Sequence, residues 1–241
     1  MPIVSKLRAW FFTDPLIVLA TIFFASISMA VSLFDRAGRR QGAAARAWSR
    51  ALLAVSGVKV RVTGLEKIAP EGSYVFASNH ASYMDTPVAL ANIPVQFRFM
   101  AKKGLFSIPF LGWHLARAGH IPVFRDNPRA AVKTLGLAAE AIQKHGISLI
   151  LFPEGGRTKT GEMRDFKDGA AFIAIRAGVP IVPVALKGTR AVLPFGSGIP
   201  MSGKVEMRIG DPIPTAGLKL HDRARLTQQV RETVVSLLHD E

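Results

Sequence analysis

The feature that most constrains this chain is a run of 20 residues, Pro15 to Phe34, without a charged side chain, bounded by Asp14 and Asp35. Leu16, Leu19, Ile22, Phe23, Ile27 and Phe34 are among its apolar members. As a helix rising about 1.5 Å per residue it would extend roughly 30 Å, the thickness of a bilayer's hydrocarbon core. A buried helix of a soluble core is the rival, because Ser26, Ser28 and Ser32 make no polar stripe, but the length favours membrane insertion. Lys6 and Arg8 precede the run as in a secretory signal. The stretch exceeds the usual signal core of about 7–15 residues and no small-residue cleavage site follows, so the segment is read as retained.

Charge supports the same reading. Lysines and arginines number 31 against 17 acids, a net charge of +14, and the mean hydropathy is +0.25. Strong basicity with high hydropathy suits an anionic phospholipid surface better than nucleic acid, for which no recognisable module is present. Between Asp35 and Glu66 there is no acid, only Arg36, Arg39, Arg40, Arg46, Arg50, Lys59 and Arg61. Such a cluster beside an apolar segment places the remaining chain on the cytoplasmic face, at the inner or plasma membrane in a bacterium. Ala43 to Val55 is expected as a helix lying at the interface, with a solvated basic face over ordinary core as the rival, ended by Gly57.

Residues 1–57 therefore form a membrane-anchoring unit, and 58–241 a second unit with different periodicity. Val58, Val60 and Val62 alternate with Lys59, Arg61 and Thr63, the pattern of a half-buried strand. Further strands are expected at Tyr74–Ala77, Gln96–Ala101, His120–Phe124, Ile147–Phe152, Val179–Leu186 and Val205–Ile209. Helices are expected at Asp85–Asn92, at Leu105–Ala118 with interruptions at Pro109 and Gly112, and at Pro128–His145, Gly169–Ala177 and Arg223–His239. Strands alternating with helices predict an α/β layered domain whose central sheet is largely parallel or mixed. In such sheets ligands sit beyond the carboxyl ends of strands.

Three clusters fall at such ends. The first is Ser78-Asn79-His80-Ala81-Ser82-Tyr83-Met84-Asp85. A histidine can take a proton from a hydroxyl while a carboxylate on its other nitrogen fixes the tautomer. Five residues on a helix differ by about 140° in azimuth, so His80 must sit in a turn and Asp85 in the first helical turn. The second is Phe152 to Thr158, where Glu154, Gly155, Gly156 and Arg157 combine an acid, a flexible backbone and a bidentate donor suited to phosphate, or merely form a tight turn with a surface ion pair. The third is Lys102, Lys103 and Arg125, singly ordinary surface charges and together a phosphate-binding rim. There is no cysteine and no G-x-S-x-G elbow, so no enzyme nucleophile is evident. A histidine base without one suits direct transfer to a substrate hydroxyl from an activated donor such as a thioester. No cluster of His, Asp and Glu offers convincing metal ligands.

At this point the chain resembles the 1-acyl-sn-glycerol-3-phosphate acyltransferase family of glycerolipid acyltransferases. Asn79-His80 through Asp85 match its NHx4D motif, and Lys102, Leu105, Gly112 and Arg125 the second. Glu154 to Thr158 look like the third and Val179 to Pro183 like the fourth. The resemblance implies transfer of a fatty acyl chain from acyl-CoA or acyl carrier protein to the 2-hydroxyl of lysophosphatidic acid, giving phosphatidic acid, with no further cofactor. It implies His80 as general base and Asp85 as its orienting partner. Asn79, Lys102, Arg125, Glu154, Gly155 and Arg157 would form the substrate-binding set. Gly156 stands where the family usually has threonine and Gly104 where an acid is common, which leaves open another lysolipid acceptor. A non-catalytic basic membrane-binding protein is the alternative from a different class.

Overall fold

The structure, a computed structural model, describes residues 7–35, 38–124 and 127–239. Lys6, Arg36 and Arg125 lie outside them. The strands are β1 (Val58–Thr63), β2 (Val75–Ser78), β3 (Phe97–Lys102), β4 (Ile121–Val123), β5 (Ser148–Leu151), β6 (Ile181–Lys187) and β7 (Gly203–Ile209). They form one sheet in the order β1-β7-β6-β2-β5-β3-β4. All neighbours pair in parallel except β6 with β7, so the sheet is mixed. The central strands β2 and β5 are buried throughout, as expected of strands covered on both faces.

Helices form the outer layers: α1 (Asp14–Ser32), α2 (Arg39–Ser56), α3 (Asp85–Asn92), α4 (Leu111–Arg117), α5 (Pro128–His145), α6 (Gly169–Ala177), the short α7 (Thr189–Val192) and α8 (Arg223–His239). Period-two alternation divides the core. Phe76, Ile150, Val182 and Met207 face one layer with Val88 and Ile93 of the α3 region. Val75, Leu149 and Ile181 face the other with Ile142, Ile173 and Val230 of α5, α6 and α8.

Strand register then sets the level of each strand end. Phe76 lies opposite Ile150, and Ile150 opposite Phe99. Four residues beyond Phe76 is His80, four beyond Ile150 is Glu154, and three beyond Phe99 is Lys102. The three parallel strands therefore deliver these residues to one edge, across a lateral span of about 10 Å between β2 and β3.

The N-terminal segment is a helical hairpin. A π-helical turn at Ala9–Thr13 leads into α1, and together they make a 24-residue apolar helix from Ala9 to Ser32. Only 6% of its most apolar window is buried, so the core-helix rival fails and the exposed apolar surface points to membrane association. α2 runs back along it, with Trp48 Nε1 donating to Thr21 Oγ1 at 3.0 Å and Arg8 donating to the Ser56 carbonyl at 3.2 Å. Asp35 starts α2. Its carboxylate accepts from the Arg39, Arg40 and Gln41 N–H groups at 3.2, 2.6 and 3.0 Å, which takes up three donors that a helix N-terminus otherwise leaves unpaired.

Two expectations require correction. The helix expected from Ala43 begins at Arg39 because of that cap, and Arg46 is not a free interfacial cation. It is half-buried and donates to the Ile93 carbonyl at the end of α3, so α2 docks on the sheet domain. The helix expected over Leu105–Ala118 is shorter. A 3₁₀ turn at Lys103–Ser107 and a tight bend at Pro109 and Phe110 precede α4, since Pro109 cannot continue a helix.

Burial alone would raise the Asp35 carboxyl, but the N–H donors of Gln41, Arg40 and Arg39 hold it below its usual range. A depressed carboxyl stabilises the fold above its unfolded pKa, near 4, and that contribution is lost as pH falls through the folded value. Asp35→Ala should cost about 1 kcal/mol and flatten the stability profile below about pH 4, measured by thermal melting in detergent from pH 3 to 7.

Candidate active site

The turn after β2 is built around Asp85. This carboxylate is fully buried and opens α3. Its Oδ2 accepts from the Ala81 N–H at 2.8 Å, the Ser82 N–H at 2.9 Å and His80 Nδ1 at 2.8 Å. A carboxylate can only accept, so Nδ1 donates, and in the neutral imidazole the lone pair then lies on Nε2. Among the described residues Nε2 has no hydrogen-bond partner, and the His80 side chain retains 16% exposure. The ring stacks on Phe152 at 4.1 Å with planes 15° apart. Held on one side by Asp85 and underneath by Phe152, His80 presents one basic nitrogen outward.

Glu154 fixes the backbone of the same turn from β5. Its Oε1 accepts from the His80 N–H at 2.6 Å and its Oε2 from the Arg164 N–H at 2.9 Å. Burial pushes this carboxyl above its ordinary range, opposed by the Arg164 and His80 donors. Asn79 anchors the turn to β6: its Nδ2 donates to the Leu186 carbonyl at 3.0 Å and its Oδ1 accepts from the Leu186 N–H at 2.8 Å. Gly155 has φ +74° and donates its N–H to the Phe152 carbonyl at 3.0 Å. Asn79, Glu154 and Gly155 thus make their bonds to the scaffold, not to open space. They hold the backbone of the His80 turn and of the glycine turn.

The cations divide differently. The Arg157 guanidinium lies 3.3 Å from the centre of the Tyr83 ring and 5.3 Å from that of Phe195. It is only partly buried, and Tyr83 belongs to the same turn as His80. Lys102 is exposed at the end of β3, and Lys103 rests 4.8 Å over the Phe124 ring. Arg125 lies outside the described residues. Arg190 donates to the carbonyls of Thr158 and Lys159 and holds the loop after Arg157.

Sequence reasoning missed Phe152, Tyr83, Phe195 and Arg190. The first two had a signal, an aromatic flanking Glu154 and an aromatic inside the His80 turn. The other two had none. Two further histidines serve the scaffold. His120 Nδ1 accepts from the Phe99 N–H at 2.9 Å and is pushed down to about 3 by burial, with His114 and Arg98 adding. Ser28 Oγ lies 2.6 Å from His114 Nδ1 and joins α1 to α4. Among the described residues no group of three His, Cys, Asp or Glu side chains could hold a metal ion.

Comparison with known proteins gives this geometry a context. A family model described as Acyltransferase matches residues 59–187. The chain is similar to a chloroplastic 1-acyl-sn-glycerol-3-phosphate acyltransferase of Brassica napus, 37% identical over 186 residues, covering 76% of this chain and 53% of that protein. It is similar to the enzyme of that name from Saccharomyces cerevisiae, 31% identical over 88% of this chain and 71% of that one. It thus spans about half the length of the plant relative. The crystal structure of the 1-acyl-sn-glycerophosphate (LPA) acyltransferase PlsC of Thermotoga maritima superimposes with a TM-score of 0.82 at 26% identity, covering 97% of this chain and 96% of that one.

The anchoring of the turn can be tested without an assay. Asn79→Ala would leave the Leu186 N–H and carbonyl buried and unpaired at a cost of about 1–3 kcal/mol. Chemical denaturation should show a lower midpoint with an unchanged slope; an unaltered midpoint would remove Asn79 from the scaffold.

Proposed function

Since this chain belongs to the 1-acyl-sn-glycerol-3-phosphate acyltransferase family, we propose that it moves a fatty acyl chain from a thioester donor, acyl-CoA or acyl carrier protein, to the 2-hydroxyl of lysophosphatidic acid. The product is phosphatidic acid. The observation that carries this reading is the 2.8 Å contact between His80 Nδ1 and Asp85 Oδ2 with Nε2 left open. Nε2 takes the hydroxyl proton as the oxygen attacks the thioester carbonyl, and Asp85 stabilises the imidazolium that forms. Collapse of the tetrahedral intermediate breaks the C–S bond, and the proton passes from His80 to the departing thiolate. No covalent enzyme intermediate is required.

Arg157 and Lys102 are the cations proposed to bind the acceptor phosphate. Arg157 is the better placed, because its guanidinium is held by Tyr83 and Phe195 with its edge still available for bidentate pairing. Aromatic faces screen a cation less than a carboxylate partner would, which preserves its attraction for an anion.

The apolar helix Ala9–Ser32 is proposed to enter the cytoplasmic leaflet without crossing to the other side. α2, with exposed Arg39, Arg40 and Arg50, lies against it and is tied to α3 through Arg46. A basic partner of comparable length cannot follow it across hydrocarbon, whereas an anionic headgroup layer suits that partner.

Gly156 and Gly104 favour a second reading, the same chemistry on another lysolipid acceptor. An acceptor screen at one fixed donor separates them: lysophosphatidic acid no better than a neutral-headgroup acceptor would reject the phosphate role. His80→Ala should lower turnover at least ~100-fold while the melting profile is retained; near wild-type acyl transfer would remove His80 from the reaction. Arg157→Ala should raise the acceptor KM before it lowers kcat, the sign of lost binding in both ground and transition states.

A further inference from the structure

We propose that the knuckle at residues 105–113 is a second membrane contact, which lodges its apolar side chains in an anionic leaflet beside α1. The first observation is that the knuckle is a built element. Leu111 N–H closes a three-residue turn onto the Pro109 carbonyl at 2.7 Å, and Gly112 N–H bonds the Ile108 carbonyl at 2.7 Å. Phe110 at the centre of that turn has φ +62° and ψ −53°, the rare, strained form of the γ-turn. It is the sole non-glycine residue with positive φ among those described. A Cβ on Gly112 would come within 2.1 Å of the Phe106 carbonyl oxygen, so the two limbs touch.

What this turn presents is apolar. Phe110 is 65% exposed and Trp113 63%, with Ile108 and Leu111 also exposed. A turn tip facing only water would normally carry glycine or a short polar residue at such backbone angles. Holding a phenyl ring there, next to an exposed indole, suits an interface between headgroups and acyl chains.

Continuity and charge identify the occupant. Ser28 bonds His114 at 2.6 Å and Arg117 reaches the Ser32 carbonyl at 3.4 Å, which sets the knuckle beside the end of α1. A cavity of 340 Å³ at the joint is lined by Met29, Ala30, Ser32, Leu33, Trp113 and Arg117. The apolar surface of α1 therefore continues onto the knuckle. Between Asp85 and Asp126 the chain has no acid, and Lys102, Lys103 and Arg117 flank the apolar tip with exposed positive charge. Apolar tip and cationic flanks together match an anionic lipid surface.

The absence of cysteine makes a clean test possible. Phe110→Cys and Leu220→Cys are each labelled on the full chain with an environment-sensitive fluorophore and mixed with vesicles of phosphatidylglycerol and phosphatidylcholine. Leu220 is exposed just before α8, whose buried Leu226, Val230 and Val234 pack with α5 and α6. Emission at position 110 should rise at least about two-fold with a blue shift, while emission at 220 stays constant. Trp113→Cys repeats the measurement from the neighbouring helix should the turn be perturbed. Sedimentation reports anchoring by α1 independently. Vesicle-bound protein with unchanged emission at both 110 and 113, or a chain that fails to pellet, overturns the proposal. So does a rise that follows protein concentration without vesicles, which would assign the surface to a second copy of the chain.

Discussion

With no exposure to water, the Asp85 carboxylate must find its hydrogen bonds within the protein, and it finds three of them on one oxygen. Two come from the backbone of the turn that leads to it and one from His80. The turn is thereby wound around the charge that orients its histidine. Removing the charge would release the backbone and the imidazole together, so the local fold and the orientation of the ring share one support. The other anchors extend this support outward: Glu154 ties the His80 backbone to β5 and its loop, and Asn79 ties the preceding residue to β6. The site rests on three adjacent strands, not on a loop alone.

The parallel centre of the sheet is what makes those three anchors possible. Because β6, β2 and β5 run in the same direction, their carboxyl ends meet at one edge, and groups far apart in the chain become neighbours. The reversal at β7 leaves this edge untouched, since it affects only the side of the sheet that β1 completes. On the opposite side, β3 and β4 carry the cationic segment toward α4 and thus toward α1. The apolar N-terminal helix and the His80 turn are therefore connected through the sheet's own order.

Much of this was legible in the sequence because it is local. The five-residue spacing of His80 and Asp85, the strand before it and the proline in the helix after it contain the geometry of the turn. The alternation of Val58, Val60 and Val62 and the apolar runs at Tyr74 and Ile147 give the layers. What was not legible depends on partners distant in the chain. Nothing near Asn79 shows that its amide meets Leu186, 107 residues later, so its anchoring to β6 cannot be read from the residues around His80. Arg46 reads as a surface charge because a guanidinium usually is one; only the end of α3, 47 residues on, explains its burial. Strand order and the antiparallel β7 are equally silent, since alternation specifies faces and not neighbours.

The contact between Arg157 and Tyr83 has a geometric consequence. Tyr83 lies between His80 and Asp85, so the guanidinium is indexed to the same five-residue turn that holds the imidazole. Tyr83 gives both groups a common reference, although the loop carrying Arg157 comes from a different strand. The turn acts as a fixed calliper with a positive jaw and a basic jaw. Under the proposed acyl transfer, this spacing is what an acceptor's anion and hydroxyl must match.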